Sequence, residues 1–348
     1  MSIFKMILAN GLSLLVGLAS VHSANAGPIP EMFAGRVIEL SGLSAKEKVP
    51  VISSTTLDPT GHFLITAGDD HLARIWNLES GQMLQRFAGH ADWVHSTAFR
   101  PDGQVVATAG ADRRIILWDV KTGRLKVFSS DEAQAFYVLC YSPDGRLLAA
   151  AGSGDTVCLY DGADLHPLRQ LAAPGTDIGA LRFSPDGRQL AAAGRQGPIR
   201  VWEVSSGHAL RDLPAQRRIH ALAYSPDGAV LASGGAARVI NLWDARSGAA
   251  LGELPERPGK ILALLYCGPG ILAASSSDNV IRLWDTKSRQ ERGRLLGHTG
   301  SVTTLAWYGK SGTLVSGSFD TTVRVWQVKV EPAADRISRR PNPLPGTE

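Results

Sequence analysis

Seven times along this chain an apolar run ends in an aromatic residue, usually followed by an acid, at intervals of 41 or 42 residues: Trp76-Asn77, Trp118-Asp119, Tyr160-Asp161, Trp202-Glu203, Trp243-Asp244, Trp284-Asp285 and Trp326-Gln327. A second mark stands 18 or 19 residues before each aromatic, where a strand runs into a tight turn such as Phe99-Arg100-Pro101-Asp102-Gly103 or Tyr141-Ser142-Pro143-Asp144-Gly145. The same turn recurs at Phe183-Ser184-Pro185-Asp186-Gly187 and Tyr224-Ser225-Pro226-Asp227-Gly228. Pro-Asp-Gly is a hairpin signal because Pro fixes φ, Asp bonds back to the backbone and Gly accepts a positive φ. A repeat of this length holds four short strands and cannot bury its apolar faces alone, so neighbours must stack. The period predicts an all-β chain: a single seven-bladed β-propeller of four-stranded antiparallel blades, spanning 36–328. Strands are lettered a to d within each blade, from the central channel outward.

The recurrence of period, turn and Trp-Asp pair over about residues 33 to 328 resembles the WD-repeat family. The family's further mark, Gly-His 28 residues before the Trp, survives as Gly89-His90 and Gly297-His298. The resemblance implies a hydrogen-bonded tetrad within a blade, made of that His, a strand-b Ser or Thr, a turn Asp and the strand-c Trp. Carried over by position, the complete sets are His90, Thr108, Asp112, Trp118 and His298, Ser316, Asp320, Trp326.

Elsewhere the pattern is eroded. Blade one keeps Thr66, Asp70 and Trp76 but has Lys48 at the His position, and blade six keeps Asp278 and Trp284 but has Ala274. Blade three offers Ala150, Gly154 and Tyr160, blade four Ala192, Gln196 and Trp202, and blade five Ser233, Ala237 and Trp243. Removing both partners of a buried pair is nearly neutral, while removing one strands the other at a cost of about 1–3 kcal/mol. The middle blades are therefore expected to rest more on packing than on the network.

The N-terminal residues read as a targeting segment. Lys5 precedes the apolar stretch Met6 to Val21 and the small-residue site Ala24-Asn25-Ala26, the pattern of a secretory signal peptide over 1–26. The alternative is a retained anchor, although the stretch carries Asn10 and Ser13 and is shorter than the ~20 apolar residues a spanning helix needs. Residues 27–35 read as a short linker and 329–348, rich in Pro and Arg, as a disordered tail. The expected compartment is exported, periplasmic or secreted. Without residues 1–26 the net charge falls from +4 to +3, nearly balanced and unlike a nucleic-acid binder, which needs clustered cations. Three cysteines, Cys140, Cys158 and Cys267, make no disulfide framework and read as small buried hydrophobes.

A propeller must join its last blade to its first or leave an exposed edge. The chain supplies only strands a to c of the seventh blade, ending with Val323 to Val328. Arg36 to Gly42 matches the strand-d segments elsewhere, such as Leu84 to Gly89, and is expected to close the ring.

No catalytic constellation is present: there is no Gly-x-Ser-x-Gly, no phosphate loop, no His-x-x-x-His and no paired Cys. No cofactor and no metal are expected. What remains is the upper face, built from the loops leading into each strand a and the b–c turns, where WD-repeat proteins bind partners. Its inner ring reads Ser53, His95, Tyr137, Gly179, His220, Leu262 and Thr303; two positions earlier stand Val51, Trp93, Ala135, Asp177, Arg218, Lys260 and Ser301. The b–c turns add Asp69, Arg195 and Phe319. The resulting candidate surface is Trp93, His95 and Tyr137 beside a basic arc of Arg195, Arg218, His220 and Lys260, with Phe319 nearby. Trp, Tyr and Arg are the residues enriched in binding hot spots. The expected function is a monomeric, non-catalytic scaffold holding an extended or acidic segment of a protein partner. Two alternatives remain open: a propeller enzyme of lactonase, lyase or hydrolase type, and an accessory subunit of an exported redox or cell-envelope complex.

Overall fold

The computed structural model of the protein describes residues 31–33, 36–38, 50–129, 132–215 and 217–329. The segment read as a signal peptide, Lys48, residues 39–42 and the tail from 330 onward lie outside the described residues. Those described contain 29 strands in seven sheets arranged as a ring of blades. Blade one, for example, runs Ile52–Leu57, Phe63–Gly68, Leu72–Asn77 and Met83–Ala88, each strand antiparallel to the next.

Burial falls off outward along each blade, which explains the residue types. Strand b of blade two, Val105–Gly110, is buried at every position, whereas the strand-d segment Met83–Ala88 alternates. A strand covered on both faces needs a continuous apolar run, and a strand with one solvated face needs only every second residue apolar. The alanines of strand b, such as Ala149 to Ala151 and Ala191 to Ala193, let neighbouring sheets approach closely. Seven apolar clusters hold the ring, one at each junction between blades; the cluster of Ile115, Leu117, Phe136 and Leu148 joins blades two and three. The Pro-Asp-Gly turns behave as their chemistry requires, with φ of 73°, 73°, 72° and 70° at Gly103, Gly145, Gly187 and Gly228.

Closure uses the N-terminal segment. Arg36–Ile38 pairs antiparallel with Val323–Val325 as the outer strand of blade seven, and Ile38 is buried beside Ile52, Leu64, Trp76 and Val323. Thr303 also donates its hydroxyl to the Ile52 carbonyl at 2.9 Å, tying blade seven to blade one. One feature departs from the sequence expectation: Glu31–Phe33, inside the segment read as a linker, forms a strand parallel to Arg294–Leu296 on the outer edge of blade six. The reason is an unpaired strand edge within reach of the incoming chain.

Candidate functional site on the upper face

The residues assigned to the two complete tetrads stand in hydrogen-bonding contact. In blade two the Trp118 indole donates to Thr108 Oγ1 at 2.8 Å, Thr108 lies 2.8 Å from His90 Nε2, and His90 Nδ1 lies 2.9 Å from Asp112. Blade seven repeats this with Trp326 to Ser316 at 2.9 Å, Ser316 to His298 at 2.8 Å and His298 to Asp320 at 2.8 Å. The carboxylate can only accept, so Nδ1–H donates to it; in the neutral ring Nε2 is then left to accept from the hydroxyl, whose oxygen in turn accepts from the indole. Each Asp also accepts the backbone N–H of Ala91 or Thr299, which fixes the loop leading into strand a. Burial alone would raise the Asp320 pKa. The Thr322 hydroxyl, the Thr299 N–H and His298 outweigh it and hold the carboxyl at about 2.

Three eroded blades contain substitutes that the repeat spacing did not reveal. In blades one and six an arginine two residues before the Trp pairs with the turn Asp: Arg74 with Asp70 at 2.6 Å, and Arg282 with Asp278 at 2.7 Å. Blade three adds polar ties to its packing. Tyr160 donates to Glu132 at 2.8 Å, Gln134 donates to the Thr156 carbonyl, and the Gly154 N–H donates to Gln134. Blade six places Arg257 4.8 Å over the Trp284 ring and 2.8 Å from Glu291, yet the Trp284 indole nitrogen, at the position facing Ala274, is buried with no hydrogen-bond partner among the described residues.

Above this frame, backbone bonds align the two outer rings of the upper face. The b–c turn N–H of Ala111, Ser153, Ala236, Ser277 and Phe319 donates to the carbonyl of Trp93, Ala135, Arg218, Lys260 and Ser301 respectively, at 2.9 to 3.0 Å. Blade four is displaced by one residue: Arg195 donates to Thr176, and Asp177 takes φ of 53°. Blade one uses a side chain instead, with Val51 N–H donating to Asp69 at 2.9 Å.

The inner ring lines the mouth of a central channel of about 590 Å³. All seven residues assigned to it, Ser53, His95, Tyr137, Gly179, His220, Leu262 and Thr303, contribute. Trp93, 52% exposed, contacts His95 with ring centroids 6.2 Å apart, and His95 meets Tyr137 edge-on at 5.3 Å. These three therefore form one continuous aromatic ledge. Phe319 is 55% exposed on blade seven. Across the mouth, burial together with Arg218 and Lys260 drives the His220 pKa down to about 4, so this ring is neutral at neutral pH. Burial likewise lowers His95, against the pull of Asp92. Arg195 is less free than its sequence position suggested, since Asp177 pairs with it at 3.5 Å.

Sequence reasoning missed Arg182. This exposed strand-a residue lines the channel and is the only permanently charged side chain among the described residues that do so. It was legible only as a polar residue inside an apolar strand. Cys140, half-buried, lines the channel beside it; Cys158 and Cys267 are buried and all three thiols are free. Among the described residues no three His, Cys, Asp or Glu side chains converge as a metal site would require.

The sequence profile of the family described as WD domain, G-beta repeat matches residues 43–77, 81–119, 124–161, 165–203, 207–244 and 289–327. The unmatched interval contains blade six as far as the end of its strand c, the blade with the orphaned indole. No curated protein matches the chain.

Proposed function

As the chain belongs to the WD-repeat family, we propose that it is a non-catalytic interaction scaffold of an exported compartment, holding an acidic segment of a protein partner across its upper face. The observation that carries this reading is the charge and shape of the channel mouth. The aromatic ledge Trp93–His95–Tyr137 faces Arg218, Lys260 and neutral His220, and among the described residues the only permanent charge lining the channel below is Arg182. A carboxylate approaching this mouth meets cations, while an apolar side chain beside it meets the ledge.

The exported location rests on Lys5, the apolar stretch Met6 to Val21 and Ala24-Asn25-Ala26. An accessory role in a cell-envelope complex is the same reading with the partner carrying the chemistry. The enzyme reading has less support, since the channel offers two imidazoles and no carboxylate among its described lining residues.

Pull-down from the exported fraction, followed by affinity measurement on the recovered partner, tests the assignment. Trp93→Ala and Arg218→Ala should each weaken binding by more than about 1 kcal/mol, as hot-spot aromatics and arginines do. Lys260→Glu should mainly slow association and alter its salt dependence. Arg146 and Arg188, which follow Pro-Asp-Gly turns on the lower face, should tolerate Ala. Loss of binding in the Arg146 or Arg188 variants with full binding by the Trp93 and Arg218 variants would place the working surface on the other face.

A further inference from the structure

Blade five retains half of a tetrad. The Trp243 indole donates to Ser233 Oγ at 2.9 Å, as in blades two and seven, and Ser233 is fully buried. At the His position, 28 residues before the Trp, stands Ala215, and at the Asp position stands Ala237. In the complete blades the ring in this niche is itself buried, with the His90 and His298 side chains 2% and 1% exposed. In blade five the same niche is a cleft of about 610 Å³, lined by Ala215, Ser233, Ala237, Asn241, Trp243 and Glu253 among others.

The chemistry of the cleft is specific. Ser233 uses its oxygen to accept from the indole, which leaves its proton to donate, and no acceptor takes it among the described residues. The side chains lining the cleft that can receive a hydrogen bond are those of Asn241, Glu253 and Glu256; Asn241 and Glu253 come from directly paired positions on strands c and d, whereas Glu256 is already paired with Arg238 at 2.8 Å. A guest must therefore accept at one point and donate at another within the space beside Trp243. His90 and His298 meet the same demands in their own blades, each with Nε2 2.8 Å from a hydroxyl and Nδ1 turned to a carboxylate.

We propose that this cleft is a recognition site for a neutral imidazole, the side chain of a histidine presented by a protein partner. The ring takes the place of the missing tetrad histidine, accepting from Ser233 and donating toward Asn241 or Glu253. Arg217, beside Arg218 of the basic arc, lines the same cleft, so a partner lying over the upper face reaches it. The partner as source of the ring rests on the interaction reading, whereas the chemistry of the cleft does not.

The probe is 4-methylimidazole, titrated into the full chain at a pH where it is neutral, with the Trp243 indole N–H resonance as readout. Saturable displacement of that resonance is expected. Ala237→Asp restores the tetrad carboxylate and should tighten binding at least about tenfold, the effect of one charge-assisted hydrogen bond. Ala215→His supplies the ring from within and should abolish the response while the protein stays folded. Arg218→Ala should leave probe binding unchanged, so failure of the upper-face reading is distinguishable from failure of this one. An unmoved Trp243 resonance in the parent, or the same titration in Ala215→His as in the parent, overturns the assignment.

Discussion

In blade two the Trp118 indole donates to Thr108, and His90 and Asp112 complete a network that anchors the loop leading into strand a. In blade five the equivalent Trp243 donates to Ser233, and the chain then supplies only Ala215 and Ala237. Both blades have four antiparallel strands and an apolar cluster at each junction, so the network is not what makes a blade fold. Packing between sheets does that. The tetrad adds a local tie between the loop and the strands, and where it is missing the polar groups left over face an open cleft instead of one another.

Blade seven has a complete tetrad but takes its outer strand from the far end of the chain, and it offers the largest test of the contrast. Deleting residues 36–42 removes Arg36–Ile38 and exposes the edge of Val323–Gln327. A large fall in melting temperature, or aggregation visible by light scattering, is expected. A truncated protein that stays monomeric and melts as the parent would show that the tetrad of blade seven suffices without its outer strand.

Acid should loosen the tetrad of blade seven. A carboxyl held at about 2 when folded and near 3.8 when unfolded stabilises the fold above the unfolded value and ceases to do so as pH falls through the folded one. The loss attributable to Asp320 therefore falls between roughly pH 4 and pH 2, and equilibrium unfolding of Asp320→Asn across that window should lack it. The lowered pKa of His298, caused first by burial, acts in the same direction: its contribution is present above the unfolded value near 6.5 and declines below it.

A smaller effect is expected where erosion left a donor stranded. Ala274→Ser places a hydroxyl opposite the orphaned Trp284 indole of blade six, as Thr66 does for Trp76 at 2.9 Å in blade one. Chemical denaturation should show a gain of about 1 kcal/mol, the net worth of one buried hydrogen bond. No gain would mean that Arg257, stacked on that ring, already fills the space the hydroxyl needs.

The fold was legible because a propeller repeats its constraints: the Trp-Asp period and the Pro-Asp-Gly turn each recur at fixed spacing, so an error at one blade is corrected by the others. The inner ring was legible for the same reason, since all seven positions from Ser53 to Thr303 follow from one offset. The substitutes were not. Arg257 sits one residue off the His position, and Arg74 and Arg282 reach the turn Asp from strand c, so only the folded side chains bring those groups together. Glu132 does occupy the His position, but its role depends on Tyr160 replacing a Trp. Nor could the sequence tell that the alanines of blade five leave a cleft while Gln134 fills the corresponding region of blade three.

The central claim is that networked and eroded blades differ in what holds them, and the most direct test compares one repeat position in two blades. Asp112 of blade two and Gln196 of blade four are equivalent, each six residues before its strand-c Trp. Equilibrium unfolding in denaturant should show Asp112→Ala destabilised by about 1–3 kcal/mol, because His90 and the Ala91 N–H lose their acceptor, and Gln196→Ala within a few tenths of the parent. Equal losses at the two positions would contradict the account.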